Sequence, residues 1–186
     1  MTMGKIIAYN FISLNGYYKG ADGDTSWHRH GKEEEKYSEE MLALGNVLLF
    51  GRKTYELMTA FWPTPAGMET SPKVAAGMNA AEKIVFSNTL NDASWENSRV
   101  LNGNIVEKME ALKKSDSRDF AILGSGSIIN LFTDNNLIDE YQVMVDPVAI
   151  GKGTPLLEGI KGELQLKLTA VRAFDSGVVL LTYVNQ

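Results

Sequence analysis

One pattern recurs along the chain: a short apolar run ends at a glycine or polar turn, and a segment with helical spacing follows. Residues 46–50 and 119–123 are clear examples, and they stop at Gly51 and Gly124. Continuous apolar runs of this length are typical of strands buried on both faces. Strands that alternate with helices in this way predict an α/β fold whose sheet is mainly parallel.

The individual elements follow from the same pattern. The last quarter differs, because an alternating segment (164–171) and an apolar run (178–184) flank the turn Asp175-Ser176-Gly177, which predicts an antiparallel hairpin. We expect one domain over residues 1–186, with a mostly parallel central sheet and this C-terminal antiparallel hairpin. Earlier in the chain, the predicted strands are 6–13, 46–50, 83–86, 119–123 and 141–145, the predicted helices are 32–44, 54–61, 104–114 and 128–132, and the predicted loops include 17–31 and 64–71.

Composition excludes several classes of protein. The 186 residues carry a formal net charge of −5, which argues against general nucleic-acid binding, since that function needs a concentrated basic face. The absence of cysteine excludes disulfides, thiolate nucleophiles and cysteine-ligated zinc. No stretch approaches the roughly 20 apolar residues of a membrane span, and the start of the chain lacks a signal-peptide cleavage site. We therefore expect a soluble, cytoplasmic protein.

Three strand-to-turn junctions are candidates for ligand binding, because ligands of open α/β sheets gather at the carboxyl ends of strands. In the first, Gly51 permits close backbone approach, Arg52 and Lys53 add two cations, and Thr54 offers a hydroxyl. Helix N-termini bind anions, so this junction suits a phosphate. An ordinary capped helix with two solvated bases explains the same residues, and both interpretations stay open.

The second junction is Gly124-Ser125-Gly126-Ser127-Ile128, which starts like a dinucleotide fingerprint but has Ile129 at the place of the third glycine. It suits either a phosphate-cradling turn or a tight strand–helix connection. The third junction, Ser87-Asn88, offers hydrogen bonds to a sugar or its phosphate, although an isolated loop of this kind is common. His28 and His30 form a pair in a polar loop without further ligands, so we expect no metal site.

Taken in order along the chain, these junctions and several other short motifs resemble the dihydrofolate reductase superfamily. The branch that they resemble most contains the reductase domain of riboflavin biosynthesis and many small dihydrofolate reductase-like proteins. The motifs are Ser13-Leu14-Asn15-Gly16, Asp22-Gly23-Asp24 with Trp27, Leu49 to Glu56, Ser87-Asn88-Thr89-Leu90, Gly124-Ser125-Gly126, Leu137 to Pro147, and Gly151-Lys152-Gly153-Thr154-Pro155-Leu156.

The resemblance implies a three-layer, dihydrofolate reductase-like fold that binds NADPH. It places the segments matching Gly51 to Thr54 and Gly124 to Ser127 beside the cofactor pyrophosphate. Ile128, which follows the second segment, belongs to the same binding site. It places Ser87 and Asn88 by the adenosine ribose and its 2′-phosphate. Ile12, at the apolar end of the first strand, and the loop residue Trp27 would border the nicotinamide.

The substrate side departs from the family pattern. Dihydrofolate reductases carry an acid on the first helix, and here Tyr37 to Glu40 offer no clear match. The riboflavin branch has a glutamate before the glycine turn, where this chain has Leu123. The catalytic residues therefore stay unassigned, and the proton donor could be a water, Asp22, Asp24 or Glu39.

The resulting hypothesis is an NADPH-dependent oxidoreductase that transfers hydride to a small heterocyclic or carbonyl substrate, such as a pterin or a riboflavin precursor. The alternative is a non-catalytic NADP(H)-binding module, which the missing family acid favours. The apolar run 178–184 suggests a homodimer. The resemblance to the family implies the same oligomeric state.

Overall fold

Apolar runs become buried strands at nearly the predicted positions. The computed structural model describes residues 3–186; Met1 and Thr2, where a leader peptide would begin, lie outside the described residues. The strands are β1 (Ile6–Ser13), β2 (Tyr17–Gly20), β3 (Val47–Gly51), β4 (Lys83–Phe86), β5 (Ser98–Leu101), β6 (Phe120–Leu123), β7 (Glu140–Asp146), β8 (Gly153–Pro155), β9 (Leu166–Ala173) and β10 (Val179–Asn185).

Six α-helices connect these strands. In addition, a short 3-10 turn occupies Ala21–Gly23. The helices are α1 (Lys32–Ala43), α2 (Arg52–Thr59), α3 (Pro65–Thr70), α4 (Pro72–Ala80), α5 (Ile105–Ser115) and α6 (Gly126–Asp134).

Eight strands form one sheet in the order β5-β4-β3-β6-β1-β7-β10-β9. The first six strands of that order pair in parallel, whereas β10 is antiparallel to both β7 and β9. The expected α/β fold, with its C-terminal antiparallel hairpin, is confirmed. A separate ribbon of β2 and β8 lies outside this sheet.

Alternation along each strand produces two cores, one on each face of the sheet. On one face, Leu49 and Ile122 pack with Phe132 of α6 and Met109 of α5. On the other face, Leu48, Phe50 and Ala121 pack with side chains of α2 and α4. The result is a three-layer arrangement in which the apolar residues of the central strands pack against helices on both faces of the sheet. Between residues 3 and 186, no helix has the length and apolar character that would carry it across a membrane.

Three local predictions need correction. Residues 64–71 are not a loop, because Thr64 caps α3 by accepting from the Gly67 backbone N–H, and Pro65 sits at the first helical position, where its missing N–H costs nothing. The polar segment 17–31 begins with a strand, β2, whose partner β8 lies far along the chain. The apolar strand that favoured dimerisation, β10, is paired on both sides, so the sheet edge belongs to β9 instead.

A buried lysine closes one end of the second core. Lys83 is 0% exposed, and its Nζ donates to the carbonyl oxygens of Asn79 at 3.1 Å and Ala81 at 2.6 Å, at the end of α4. The ammonium also lies 4.6 Å from the ring centroid of Trp95. Burial lowers the pKa of Lys83 from 10.5 to about 8. The lysine therefore pairs the Ala81 carbonyl, which has no other donor among the described residues, and shares the Asn79 carbonyl with Asn97.

The Lys83→Met variant should lower the free energy of unfolding by about 1–3 kcal/mol, because the Ala81 carbonyl loses its donor and the Asn79 carbonyl keeps only its longer bond from Asn97. The loss should be larger near pH 10 than at pH 7. Between the folded pKa of about 8 and the unfolded pKa of 10.5, the unfolded wild-type chain binds more protons than the folded one, so wild-type stability rises with pH. Urea unfolding at both pH values measures this, with Lys36→Met at an exposed position as the control. Equal stability of Lys83→Met and wild type at both pH values would contradict it.

Candidate functional site

Strand register brings the three predicted junctions to one edge of the sheet. Gly51, the last residue of β3, pairs with Phe86 of β4, so Ser87 begins the neighbouring loop. On the other side, Leu49 pairs with Ile122 of β6, which places Gly124 level with Gly51. The carboxyl ends of β4, β3 and β6 thus lie side by side, as an open α/β sheet requires of a ligand site.

Direct hydrogen bonds join the first two junctions. The Gly51 backbone N–H donates to Ser125 Oγ at 2.9 Å, and the Ser125 N–H donates to Thr54 Oγ1 at 3.2 Å. Gly124 and Ser125 both have left-handed backbone conformations, with φ of 60° and 56°. A side chain on Gly124 would press on Thr54, with its Cβ 3.1 Å from Thr54 Cγ2. The chain therefore turns sharply and close against α2 at this point.

The N-termini of α2 and α6 both face this edge without a side-chain cap. Neither helix has an acidic residue in its first turn. By contrast, α1 begins with Glu33, Glu34 and Glu35, and α5 is capped by Asn104. Uncapped backbone N–H groups and the positive ends of two helix dipoles thus converge where the first two junctions meet. This arrangement suits an anion.

Two cations stand at the start of α2. Arg52 and Lys53 are exposed, and the Arg52 guanidinium lies 3.0 Å from Glu56 one turn along the helix. An exposed pair of this kind contributes little to stability, so Arg52 can exchange Glu56 for a stronger anionic partner at low cost. The protein is acidic overall, which makes these two bases a local exception.

Hydroxyl and amide groups of the third junction have their acceptor atoms already in use. Ser87 Oγ accepts from the backbone N–H groups of Thr89 and Leu90, at 3.2 and 2.9 Å. Asn88 Oδ1 accepts from Gly103 N–H at 2.8 Å. What Ser87 and Asn88 can still offer a ligand is therefore mainly hydrogen-bond donors, which again favours an anion.

Tyr18 of the β2–β8 ribbon leans on the start of α6. A Cβ added to Gly126 would lie 2.8 Å from Tyr18 Cζ and 2.9 Å from its hydroxyl oxygen. Gly126 therefore has to lack a side chain for the phenol ring to fit there. Ser127 is exposed next to it, and Ile128 packs back toward Gly51.

The residues expected at the nicotinamide end lie beside β1 and β7. Ile12 is half-buried near the end of β1, against the core that includes α6. Trp27 belongs to the loop over residues 21–31, and its Nε1 donates to the Asp24 carbonyl at 3.2 Å. The structure thus places these two residues at the same sheet edge as the three junctions, but over different strands.

A buried histidine–aspartate pair, which sequence reasoning missed, fixes that loop to the sheet. His28 Nδ1 lies 2.7 Å from Asp146 Oδ2, and the two side chains are only 6% and 0% exposed. The other carboxylate oxygen of Asp146 accepts from the Arg29 N–H at 2.8 Å. Asp146 lies opposite Ser13 in the β1–β7 register. No local motif could reveal this pair, because 118 positions separate the two residues.

The first helix also presents an acid that the sequence did not single out. Glu34 of α1 is 3% exposed and accepts from the Ser176 hydroxyl. Tyr37 donates to Gln142 Oε1 at 2.8 Å, and burial raises the pKa of Tyr37 to about 12. Of the acids proposed earlier as proton donors, Asp22 and Asp24 are exposed, and Glu39 pairs with Lys73 of α4.

Other concave surfaces lie away from this edge. An open depression of about 390 Å³ is lined by residues such as Trp95 and Asn79, and another of about 460 Å³ lies near Glu82 and Arg118, at the amino ends of the strands. Neither touches the three junctions. Within residues 3–186, no three His, Asp or Glu side chains are grouped as a metal ion would need.

Comparisons with known proteins bear on the family and the fold of the chain. The family model described as the RibD C-terminal domain matches residues 4–180. The uncharacterized protein YyaP of Bacillus subtilis (strain 168) is 29% identical over 180 residues, which cover 96% of this chain and 94% of YyaP.

Two solved structures show the same fold at low identity. A protein from Shewanella sp. PV-4, provisionally named a riboflavin biosynthesis protein, superposes with a TM-score of 0.79 at 19% identity, covering 98% of this chain and 99% of that one. Dihydrofolate reductase from Enterococcus faecalis, solved in complex with NADP(H) and RAB-propyl, gives 0.70 at 18% identity, with 100% and 98% covered. The fold is thus dihydrofolate reductase-like, and since the family model spans nearly the whole sequence, the chain belongs to the RibD C-terminal domain family.

Proposed function

We propose that this protein is an NADPH-dependent reductase that acts on a small heterocyclic or carbonyl substrate. The observation that carries the proposal is the convergence of two uncapped helix N-termini, α2 and α6, linked through Ser125 at the carboxyl edge of the sheet. Membership of a family named for the C-terminal domain of RibD supports it. The E. faecalis enzyme with the same fold binds NADP(H), which supports the choice of cofactor.

The residues present fit a phosphorylated dinucleotide. The backbone N–H groups at the starts of α2 and α6, with Arg52, Lys53 and Thr54, would hold the pyrophosphate. Ser87 and Asn88 would donate to the ribose 2′-phosphate. The Cβ positions of Gly51, Gly124 and Gly126 are occupied by side chains of Ile128, Thr54 and Tyr18, so these glycines let the junctions pack closely around the two helix starts. The anion-binding groups therefore match a ligand with two separate phosphate positions.

When bound, the reduced nicotinamide supplies a hydride, which is chemistry that no side chain can provide. The protein would then bind and orient the reacting groups and exclude water from them. Ile12 and Trp27 would border the ring, and apolar side chains there would exclude water from the transfer.

Wild-type protein should bind NADPH, and Arg52→Gln should weaken binding about tenfold, because a charge-assisted contact with phosphate is lost. NADPH fluorescence and the shift of the melting temperature measure this. Arg99→Gln removes an exposed arginine at the opposite end of the sheet, where Arg99 pairs with Glu82, and serves as the control. Absence of any fluorescence change or thermal protection at about 1 mM NADPH would contradict the cofactor assignment.

At least one member of a panel of dihydrofolate, pterins, riboflavin precursors and simple carbonyls should accelerate NADPH oxidation above the rate without substrate. The absorbance of NADPH reports the reaction directly. A protein that binds NADPH tightly but oxidises it with no member would instead support the alternative, a non-catalytic NADP(H)-binding module.

We also propose a homodimer and a cytoplasmic location, the latter testable by cell fractionation. The sheet edge β9 supports the dimer, because its outer backbone groups have no neighbouring strand and Leu168 and Val171 are 47% and 58% exposed. Exposed edge strands with large apolar side chains favour pairing with another chain.

The double variant Leu168→Glu/Val171→Glu should therefore be monomeric at concentrations where the wild type is dimeric, since buried like charges would oppose association. Light scattering during size-exclusion chromatography measures the mass. Leu44→Glu, at a position 66% exposed near the end of α1, is the control. A monomeric wild-type protein would refute the dimer.

A further inference from the structure

The imidazole of His28 is held at one nitrogen and has no partner at the other. Nδ1 contacts the Asp146 carboxylate at 2.7 Å. Nε2 is buried and makes no hydrogen bond to the protein. A buried polar atom without a partner is rare in folded proteins and calls for an explanation, such as a bound water, an ion or a catalytic role.

The contact with Asp146 determines what Nε2 can do. A carboxylate accepts but does not donate, so Nδ1 carries the hydrogen of that bond. The ring can then take up or release its second proton only at Nε2. His28 is thus oriented by Asp146 in the manner of a general acid or base, with the reactive nitrogen left free.

The surroundings of the ring are largely dry. The ring centroid of Phe11 lies 3.6 Å from that of His28, and His30 lies at 4.3 Å in an edge-on arrangement. Burial and the neighbouring His28 lower the pKa of His30, which favours its neutral form. Low polarity strengthens any hydrogen bond that Nε2 forms with a ligand.

The position of the pair along the sheet separates it from the phosphate-binding groups. The anion-binding junctions lie over β4, β3 and β6, whereas Asp146 and His28 lie over the next two strands, β1 and β7. A ligand that extends along this edge from its phosphates would reach the histidine with its other end. Asp22, Asp24 and Glu39, by contrast, are exposed or engaged elsewhere.

We propose that His28 is the catalytic acid of this site and that Asp146 is its positioning residue; the inference rests on the proposed reductase function. The reductant is a reduced nicotinamide, which gives up a hydride. The acceptor carbon of a C=N or C=O bond gains that hydride, and the π-electron pair moves to the nitrogen or oxygen. That atom takes the proton from His28 Nε2, and the neutral imidazole regains a proton from water after product release.

The substrate reaches Nε2 through movement of the loop over residues 21–31, most of whose tip is exposed. Closure of such a loop over a bound substrate would restore the burial of His28 seen here. Asp146 from β7 and His30 from the same loop adjoin the ring, Glu34 of α1 acts electrostatically on His30, and Tyr9 of β1 lies near Asp146.

Two substitutions at position 28 separate the chemical role from the structural one. His28→Asn places an amide N–H near the position of Nδ1, so it keeps the bond to Asp146 but lacks Nε2. His28→Gln places a neutral amide near Nε2, which can donate a hydrogen bond but cannot transfer a proton. Both should lower kcat about 100-fold or more with the active panel substrate. NADPH affinity should change less than twofold, and His28→Asn should melt close to wild type.

The control variant is Asp22→Asn, at an exposed acid of the same loop, which should keep its activity within twofold. Asp146→Asn should also lower kcat, because its amide no longer fixes the imidazole tautomer.

A second measurement needs neither substrate nor cofactor. In protein carrying ¹⁵N-labelled histidine, with His30→Gln to assign the signals, the neutral ring of His28 should carry its hydrogen on Nδ1, beside Asp146. The opposite tautomer would overturn the proposal.

The outcomes also distinguish the two proposals. If a panel substrate is reduced and His28→Asn matches wild type, His28 is not the acid, although the reductase function stands. If NADPH binds but no panel member is reduced, the reductase function is refuted. The proposed role of His28 depends on that function and is then refuted as well.

Discussion

The hydrogen bonds between Gly51, Ser125 and Thr54 are the constraint on which the candidate site depends. They join the ends of β3 and β6 directly, at 2.9 and 3.2 Å, and so fix the starting points of α2 and α6 relative to each other. Two successive left-handed residues, Gly124 and Ser125, make that approach possible. A non-glycine residue is strained in this conformation, and the bonds made by Ser125 help to offset that strain. The two helix dipoles converge because of this local geometry.

The parts of the fold that follow from local pattern were predictable. Strands buried on both faces are mostly apolar, so β1 and β4 were found with their bounds unchanged. The helix at Pro65–Thr70 was missed because prolines were taken as loop signals, although proline is well suited to the first helical position. The strands β2 and β5 were missed because their polar, partly exposed residues carry little periodic signal.

The candidate site likewise has one half that local sequence pattern predicts and another half that it does not. Its phosphate-facing half consists of contiguous motifs, because a turn that follows a strand keeps its neighbours in sequence. The His28–Asp146 pair depends on the parallel register of β1 with β7, which aligns Ser13 with Asp146. No spacing rule connects a loop histidine with an aspartate at the end of a distant strand. Buried Glu34 was hidden similarly, since an acidic first turn reads as a solvated helix start.

Tyr18 connects the two halves mechanically. Its phenol ring rests on Gly126, at the amides that begin α6, and its strand continues directly into the segment that carries His28. A ligand phosphate bound at those amides would contact the Tyr18 ring and displace the β2–β8 ribbon. Occupancy at one end would then alter the affinity at the other, and thermodynamic reciprocity requires the same factor in the reverse direction. The affinities for cofactor and substrate would thus be coupled through the ribbon as well as by their direct contact.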